Sequence, residues 1–483
     1  MTTGTDLIAI LPLLIVVGWA LLLLLVDLWV PHERKGITAS LAAVGLLLAL
    51  AAAVLLRAKP MLAFGGMIIV DEFSTFLNVL FLAAGLAGIA IAHDYLKRME
   101  ILQGEYYSLL LFTISGMMLM ASAYDLIIVF LALELLSIPL YVLAGFAHPR
   151  LESEEAALKY FLLGAFASGF VLYGVALVFG ATAHTDLQGI LTVVKQGTAL
   201  NSILLSAGAG MLLVGFGFKV AAVPFNMWVP DVYQGAPSPV SGFMSVGAKA
   251  AGFAALMRVF ILIFPVLSTN LTPILWALAA LTMLVGNLVA LAQTNIKRLL
   301  AYSSIANAGY LLMALVPYAQ STMVKDSVAS MLFYLAAYAL TSLGAWAVVV
   351  AMEQAEGKGL LLEDYAGLGK KFPLLAAAMT ICMLSFTGVP LTLGFWGKFY
   401  LFRTTVQAGF WPLALIGLLT SLLSAFYYLR VVVYMYMRPG EPEVRRELWV
   451  NLVAVVAALL VLGLSFFPQQ LLQLAVQAVL RLM

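Results

Sequence analysis

The chain has 483 residues, of which 64% are hydrophobic and only 10% charged, with a formal net charge of +2. A soluble globular protein carries about 25% charged residues, so this composition excludes a soluble enzyme and specifies an integral membrane protein. No basic tract, zinc spacing or RNA-binding motif argues for nucleic acid, and the single cysteine, Cys382, excludes both an intrachain disulfide and an iron–sulfur cluster built from this chain's own cysteines.

Apolar stretches of spanning length predict an all-α polytopic membrane protein with about 14 transmembrane helices. The first, about 7–30, is too long for a signal peptide and has no cation before it, so it reads as a span. With 38–57 and 73–93 it forms an N-terminal three-helix segment, 1–100. Five helices follow within 101–265, at about 107–122, 125–147, 155–181, 202–228 and 237–264. Five more lie within 266–438, at about 273–293, 299–319, 326–353, 373–405 and 410–437. A last span near 449–467 and an amphipathic tail at 469–482 make up 439–483. The least distinct boundary falls at Tyr124 and Asp125. The longest polar connection, Glu353 to Lys371, is under twenty residues, so oxidation of a substrate requires other chains.

Thirteen Lys and Arg residues, Lys97, Arg98, Lys297, Arg298 and Arg446 among them, fall in loops after odd-numbered helices. Five (Arg57, Lys59, Lys195, Lys325 and Arg403) follow even-numbered ones. That bias predicts a bacterial plasma-membrane protein with its odd loops in the cytoplasm and both termini on the external side.

Three lysines lie inside apolar helices: Lys219, Lys249 and Lys398. A charge at the bilayer centre costs at least roughly 2.5–3.5 kcal/mol on insertion scales, so such residues face polar cavities and mark ion or proton paths. Two of them sit in helices with broken chemistry. GFGFKVAAVPFNMW (Gly215 to Trp228) places Pro224 five residues after Lys219, and FTGVPLTLGFWGKFYLF (Phe386 to Phe402) crowds Gly388, Pro390, Gly394 and Gly397 before Lys398. Proline removes a backbone donor and clashes with the preceding turn, so both helices should unwind there. These segments resemble each other at a spacing of 179 residues, and YFLLGAFA (Tyr160 to Ala167) matches FYLAAYA (Phe333 to Ala339) at 173. The spacing predicts two inverted five-helix repeats, 107–264 and 273–437, with two broken helices, a transporter pattern that puts the working site near the midplane.

Glu134, deep in IIVFLALELLSIPLYVL, needs a partner or a proton, and Lys219 is the natural partner within the same repeat. The alternative is an ion pair that only fixes packing. Lys249 sits roughly ten residues, about 15 Å, from either end of its helix, too far to snorkel. Lys159 and Glu155 are spaced i,i+4, which suits simple helix support as well as function. Arg258 and Arg430 lie toward helix ends and are expected to snorkel, while Asp27 and Arg481 are terminal and bland. The four histidines share no ligand spacing, and no Walker A or dinucleotide fingerprint is present, so no metal or cofactor is expected on this chain.

Five segments carry a family resemblance: ELLSIPLYVLAGF (Glu134 to Phe146), EAALKYFLLGAFASG (Glu155 to Gly169), VPFNMWVPDVYQGAPSPVSGF (Val223 to Phe243), AYSSIANAGYLLMAL (Ala301 to Leu315) and GVPLTLGFWGKFYLF (Gly388 to Phe402). With them the chain resembles the antiporter-like membrane subunits of the proton-pumping NADH–quinone oxidoreductase, respiratory complex I. It looks most like the N type, because the M type carries a glutamate at the position of Lys398 and the L type a long extra C-terminal helix. The resemblance implies that Glu134 and Lys219 interact, that Lys249 connects, and that Lys398 is the terminal lysine toward the external half-channel. It further implies neighbouring antiporter-like subunits as partners, and NADH, FMN, iron–sulfur clusters and quinone held in partner subunits. Asn307 departs from the family, which often has histidine there, so Tyr302, Tyr310 or water would have to substitute. The main rival is a subunit of a multisubunit sodium/proton antiporter or of a membrane-bound hydrogenase-type complex; a module that only holds its neighbours together is the third.

Overall fold

The computed structural model describes residues 4–31, 34–56, 61–354, 357–445 and 447–480. Arg57, Lys59, Arg446 and Arg481 therefore lie outside the described residues. Ten described helices are long and apolar enough to cross a membrane by length and composition, and Leu11–Asp27 and Pro373–Thr387 are shorter apolar helices. The stretches expected at 107–122 and 299–319 are helices too, Glu105–Ser122 and Ile296–Leu315, but stand outside those ten. The second carries Lys297, Ser303, Ser304 and Asn307, and only Arg298 and Tyr302 of its residues are not fully buried. A helix enclosed by other helices meets no lipid, so it can be polar.

The fold is not wholly helical. Met61–Ala63 and Ile68–Val70 pair as a short antiparallel hairpin, turned by Gly65 and Gly66 at positive φ, and Ile68 bridges to Ala123. The centre of the bundle holds Ser238–Ile263 and Val324–Met352, both almost completely buried, whereas outer helices such as Trp411–Met437 expose Leu418, Leu422 and Phe426. Apolar side chains exposed in this pattern suit a lipid surface. Small residues bring helices close. At Gly208 and Gly174 a side chain would strike the facing backbone of Leu151–Thr182 and Ser202–Val220, and at Gly286 it would strike Ala306 of Ile296–Leu315.

Both anticipated breaks are present. Ser202–Val220 stops eight residues short of the expected end, with Ala221 in the left-handed conformation at φ 65°, and a new helix starts at Trp228. The exposed ends are satisfied: the Trp228 indole donates to the Phe218 carbonyl at 3.0 Å, and the Val223 amide to Thr282 Oγ1 at 2.9 Å. Pro373–Thr387 ends at Gly388, φ 88°, and Leu393–Gln407 resumes. A third irregularity had no proline to announce it. Met244–Ala248 is a π turn immediately before Lys249.

Three charged residues expected to be bland or snorkelling are built in. Arg258 is 2% exposed and clasps Asp71 with both terminal nitrogens, at 3.0 and 2.9 Å, while also donating to the Ala121 carbonyl. Asp27 is buried and accepts from Lys35 at 2.5 Å and Thr38 at 2.7 Å. Arg430 donates to the carbonyls of Leu291 and Gln293, closing the end of the helix Ser268–Ala290. Asp71 has a second task, capping Glu72–Arg98 reciprocally with Ser74. Asp71→Ala should therefore cost about 3–5 kcal/mol, because it strands the Arg258 charge, whereas Asp71→Asn should cost less. Thermal unfolding of the purified protein in detergent measures both.

Candidate functional site

Lys219 is the penultimate residue of its helix, so the break leaves its amine at the end of a rod that stops inside the bundle. Its Nζ donates to Ser137 Oγ at 2.8 Å and to Tyr160 Oη at 3.3 Å, and lies 5.6 Å from the Tyr160 ring centre. Glu134 is three residues before Ser137 on Leu126–Ala144. The two are not in ion-pair contact. Ser137 takes the amine instead, and Glu134, half-buried, keeps its Oε1 buried and unpartnered.

Lys249 begins the α-helical part that follows the π turn. Its Nζ donates to both the carbonyl and the hydroxyl of Ser304, beside the ring of Tyr338 at 5.5 Å. Ser245 and Ser342 share a hydrogen bond of 2.8 Å nearby in sequence on the same two helices.

Lys398 sits against the second break. Its Nζ donates to the Thr387 carbonyl at 3.1 Å and Ser421 Oγ at 2.8 Å, with the Tyr310 ring centre at 4.7 Å. Thr387 is the last residue before Gly388, so the break supplies the acceptor that holds the amine. All three lysines are under 5% exposed. None has a carboxylate within 4 Å among the described residues.

One helix links the second and third lysines. Ser303, Ser304, Asn307 and Tyr310 lie on Ile296–Leu315; Ser304 holds Lys249, and Tyr310 faces Lys398. Asn307 accepts from Tyr334 and donates to the Ser303 carbonyl at 2.8 Å, and Ser303 meets the Tyr428 hydroxyl. Tyr427 donates to Asn287 Oδ1 at 3.0 Å, and Asn287 Nδ2 donates to Tyr310 Oη at 3.3 Å. Hydroxyls donate and accept at once, so this belt can pass a proton within hydroxyl pairs such as Ser303 and Tyr428, with the carboxamides of Asn307 and Asn287 holding their neighbours in place. Asn307 and Tyr310 belong to it. Tyr302 does not: it borders an outer cleft with Asp231 and Arg298. Tyr334, Tyr427, Tyr428, Asn287 and Ser421 were not singled out from the sequence, where a tyrosine in an apolar helix looks like packing.

Lys159 stands apart, 40% exposed, bonded to Glu155 and Asp231, each at 2.7 Å. Asp231 also accepts from Arg298 at 2.8 Å. Partial burial pushes the Asp231 carboxyl up, but the hydrogen bonds from Lys159 and Arg298 outweigh it and hold the group below the usual carboxylate range. This cluster ties three elements at one mouth of the bundle.

The sequence profile described as NADH:quinone oxidoreductase/Mrp antiporter, transmembrane, matches residues 123–424. The chain is 48% identical to NADH-quinone oxidoreductase subunit N of Trichlorobacter lovleyi, over 98% of this chain and 97% of that one. It superposes on a chain of respiratory complex I from Thermus thermophilus with a TM-score of 0.83 and 38% identity, covering 96% of this chain and 99% of the other. A chain of the Mrp complex from Dietzia matches at TM-score 0.86 but 19% identity, over 99% of this chain and 97% of that chain, which is a likeness of fold alone.

The seat of Lys398 can be probed through Gly388. A Cβ there meets Lys398 Cδ at 3.1 Å, whereas at Gly409, with nearly the same φ (87° against 88°), it meets nothing within 4 Å. Both alanine variants carry the left-handed strain of about 1–2 kcal/mol. Gly388→Ala should therefore unfold at a lower temperature than Gly409→Ala; equal midpoints would show that the lysine seat is loose.

Proposed function

From a chain that belongs to the NADH:quinone oxidoreductase/Mrp antiporter membrane family, with subunit N of NADH-quinone oxidoreductase among its full-length relatives, we propose a proton-translocating membrane subunit of that enzyme. It couples electron transfer from NADH to quinone in partner subunits to proton pumping. The observation that carries this is the set of three buried amines solvated by neutral hydroxyls and carbonyls, two of them flanking a belt of hydroxyls and carboxamides. An amine without a carboxylate partner can lose its proton without stranding a counter-charge, which suits a relay and not a packing pair.

In the proposed cycle, a change in a neighbouring subunit alters the field that Glu134 exerts on Lys219. Because the two are not in direct contact, Glu134 biases proton occupancy without neutralising the amine. Proton transfer then runs by way of Lys249, Ser304 and the Asn307–Tyr310 belt to Lys398. Lys159 and Asp231 hold the mouth, and Tyr302 lies off the route. We place the thirteen-cation face in the cytoplasm and both termini outside, in a bacterial plasma membrane, with about fourteen spans. The five-helix repeats, 101–265 and 266–438, are inverted; supporting this, each break is a left-handed residue beside a lysine, Ala221 after Lys219 and Gly388 before Lys398. The 1–100 and 439–483 segments flank them. NADH, FMN, iron–sulfur clusters and quinone belong to partner subunits, and this chain holds no cofactor. The sodium/proton antiporter alternative rests on the shared family profile and on a likeness of fold at 19% identity.

Lys219→Ala, Lys249→Ala and Lys398→Ala in the assembled complex should each lower quinone-linked turnover on the order of tenfold, about 1.4 kcal/mol on the barrier, together with proton pumping in vesicles. Unchanged turnover and pumping in Lys219→Ala would sink the proposal. Sodium-driven proton exchange with no electron donor would favour the antiporter.

A further inference from the structure

A second buried ion pair lies at the foot of the helix that carries Lys249, and the route above does not use it. Glu353 follows the last residue of Val324–Met352 and is 3% exposed; Lys297 is 2% exposed. They are a half-made pair. Lys297 Nζ is 3.9 Å from Glu353 Oε1 and spends a hydrogen bond of 2.7 Å on the Ala236 carbonyl instead. Glu353 Oε2 is buried with no partner.

The surroundings repeat the pattern. Tyr365 Oη and Ser238 Oγ are also buried and unpartnered. Tyr365 and Tyr95 both interact with Glu353, and Tyr95 also meets the Ser238 backbone. Arg150 acts on Lys297 and Tyr95, Asp364 acts on Tyr365, and Arg98 donates to the Val350 carbonyl at 2.6 Å. Beside Lys297, the Ile296 amide donates to the Leu360 carbonyl at 2.8 Å and the Leu362 amide to the Thr294 carbonyl at 2.9 Å.

A structural ion pair in such a place should be short and fully bonded, because desolvating both charges is repaid only by good geometry. Several orphaned polar atoms around one carboxylate are the usual lining of buried water. The pair also points toward the relay. Lys297 and Ser304 are seven residues apart on one helix, hence on one face and about 10 Å apart along it. Ser304 holds Lys249, and Tyr233, edge-on to Trp346 at 6.2 Å, interacts with Ser304.

We propose that Glu353, with Lys297 beside it, is a proton-loading site that takes protons from the face bearing the loop cations and hands them toward Lys249. The proposal rests on the proton-path function above. The proton arrives on Glu353 Oε2 from water and leaves from the same oxygen, with Lys297 moderating the charge that remains.

The test uses the whole complex in vesicles, with Glu353→Gln, Glu353→Asp, Tyr365→Phe and Lys249→Ala compared side by side. NADH oxidation by ferricyanide, a reaction of the partner subunits, reports assembly. In Glu353→Gln, quinone-linked turnover should fall severalfold while the solvent deuterium isotope effect on it rises, and Glu353→Asp should recover most of the rate. Wild-type turnover and isotope effect in Glu353→Gln overturn the proposal. So does a loss that leaves the isotope effect unchanged, which marks a packing role. If Glu353→Gln does not assemble, Tyr365→Phe decides: a raised isotope effect supports the loading site and an unchanged one overturns it. Lys249→Ala separates the levels. If it too is silent, the proton-path function fails; if it alone is defective, only the loading site does.

Discussion

Hydrocarbon cannot solvate an ammonium group, so every buried lysine here must be solvated by the protein itself, and the architecture follows from how that is done. At Lys219, Lys249 and Lys398 the chain uses hydroxyls and main-chain carbonyls, not carboxylates. Lys398 shows the arrangement most plainly: the helix is interrupted at Gly388, the interruption frees the Thr387 carbonyl, and the amine bonds to that carbonyl and to Ser421. Lys249 draws both of its hydrogen bonds from Ser304. Neutral partners lower the cost of holding the charge without fixing it, whereas a carboxylate in contact would pin the proton in place. Where the protein wants a fixed charge it does use one, as in Arg258 on Asp71.

The membrane class, the broken helices and the three lysines were legible because each violates an expectation for an apolar helix: a proline, a glycine cluster or a cation where none belongs. Partners were harder. Glu134 and Lys219 looked like a pair because opposite charges in one repeat should meet, but the serine one turn along the glutamate's helix reaches the amine first. Arg258 and Asp71 lie 187 residues apart, and nothing in either segment announces the other. Asp27 looked terminal because it falls near the end of the expected 7–30 span, yet Lys35 and Thr38 bond to its carboxylate. Tyr334, Tyr427 and Tyr428 of the belt carry no sequence signal, since their role comes from the hydroxyl at the ring's edge and their placement from the ring. Glu353 reads as the edge of a loop in the sequence, because its burial beside Lys297 is set by tertiary contacts.

Fold and function separate cleanly in the comparisons. The Dietzia Mrp chain keeps this architecture at a TM-score of 0.86 with 19% identity. An architecture that survives replacement of four fifths of its residues cannot by itself say which ion moves or what drives it. The assignment leans instead on relatives near half identity across the full length, and on the particular amines and hydroxyls that line the interior.

The π turn at Met244–Ala248 has a consequence for chain length. A π turn holds one residue more than the α-helix around it needs, so it behaves as an insertion absorbed without turning the flanking faces. Removing one residue inside Met244–Ala248 would return a continuous α-helix with Phe243 and Lys249 still on the sides they occupy. Removing one anywhere else between Ser238 and Ile263 would rotate one half against the other by about 100°. That five-residue stretch is therefore where relatives can differ in length by a single residue and still aim the lysine at Ser304.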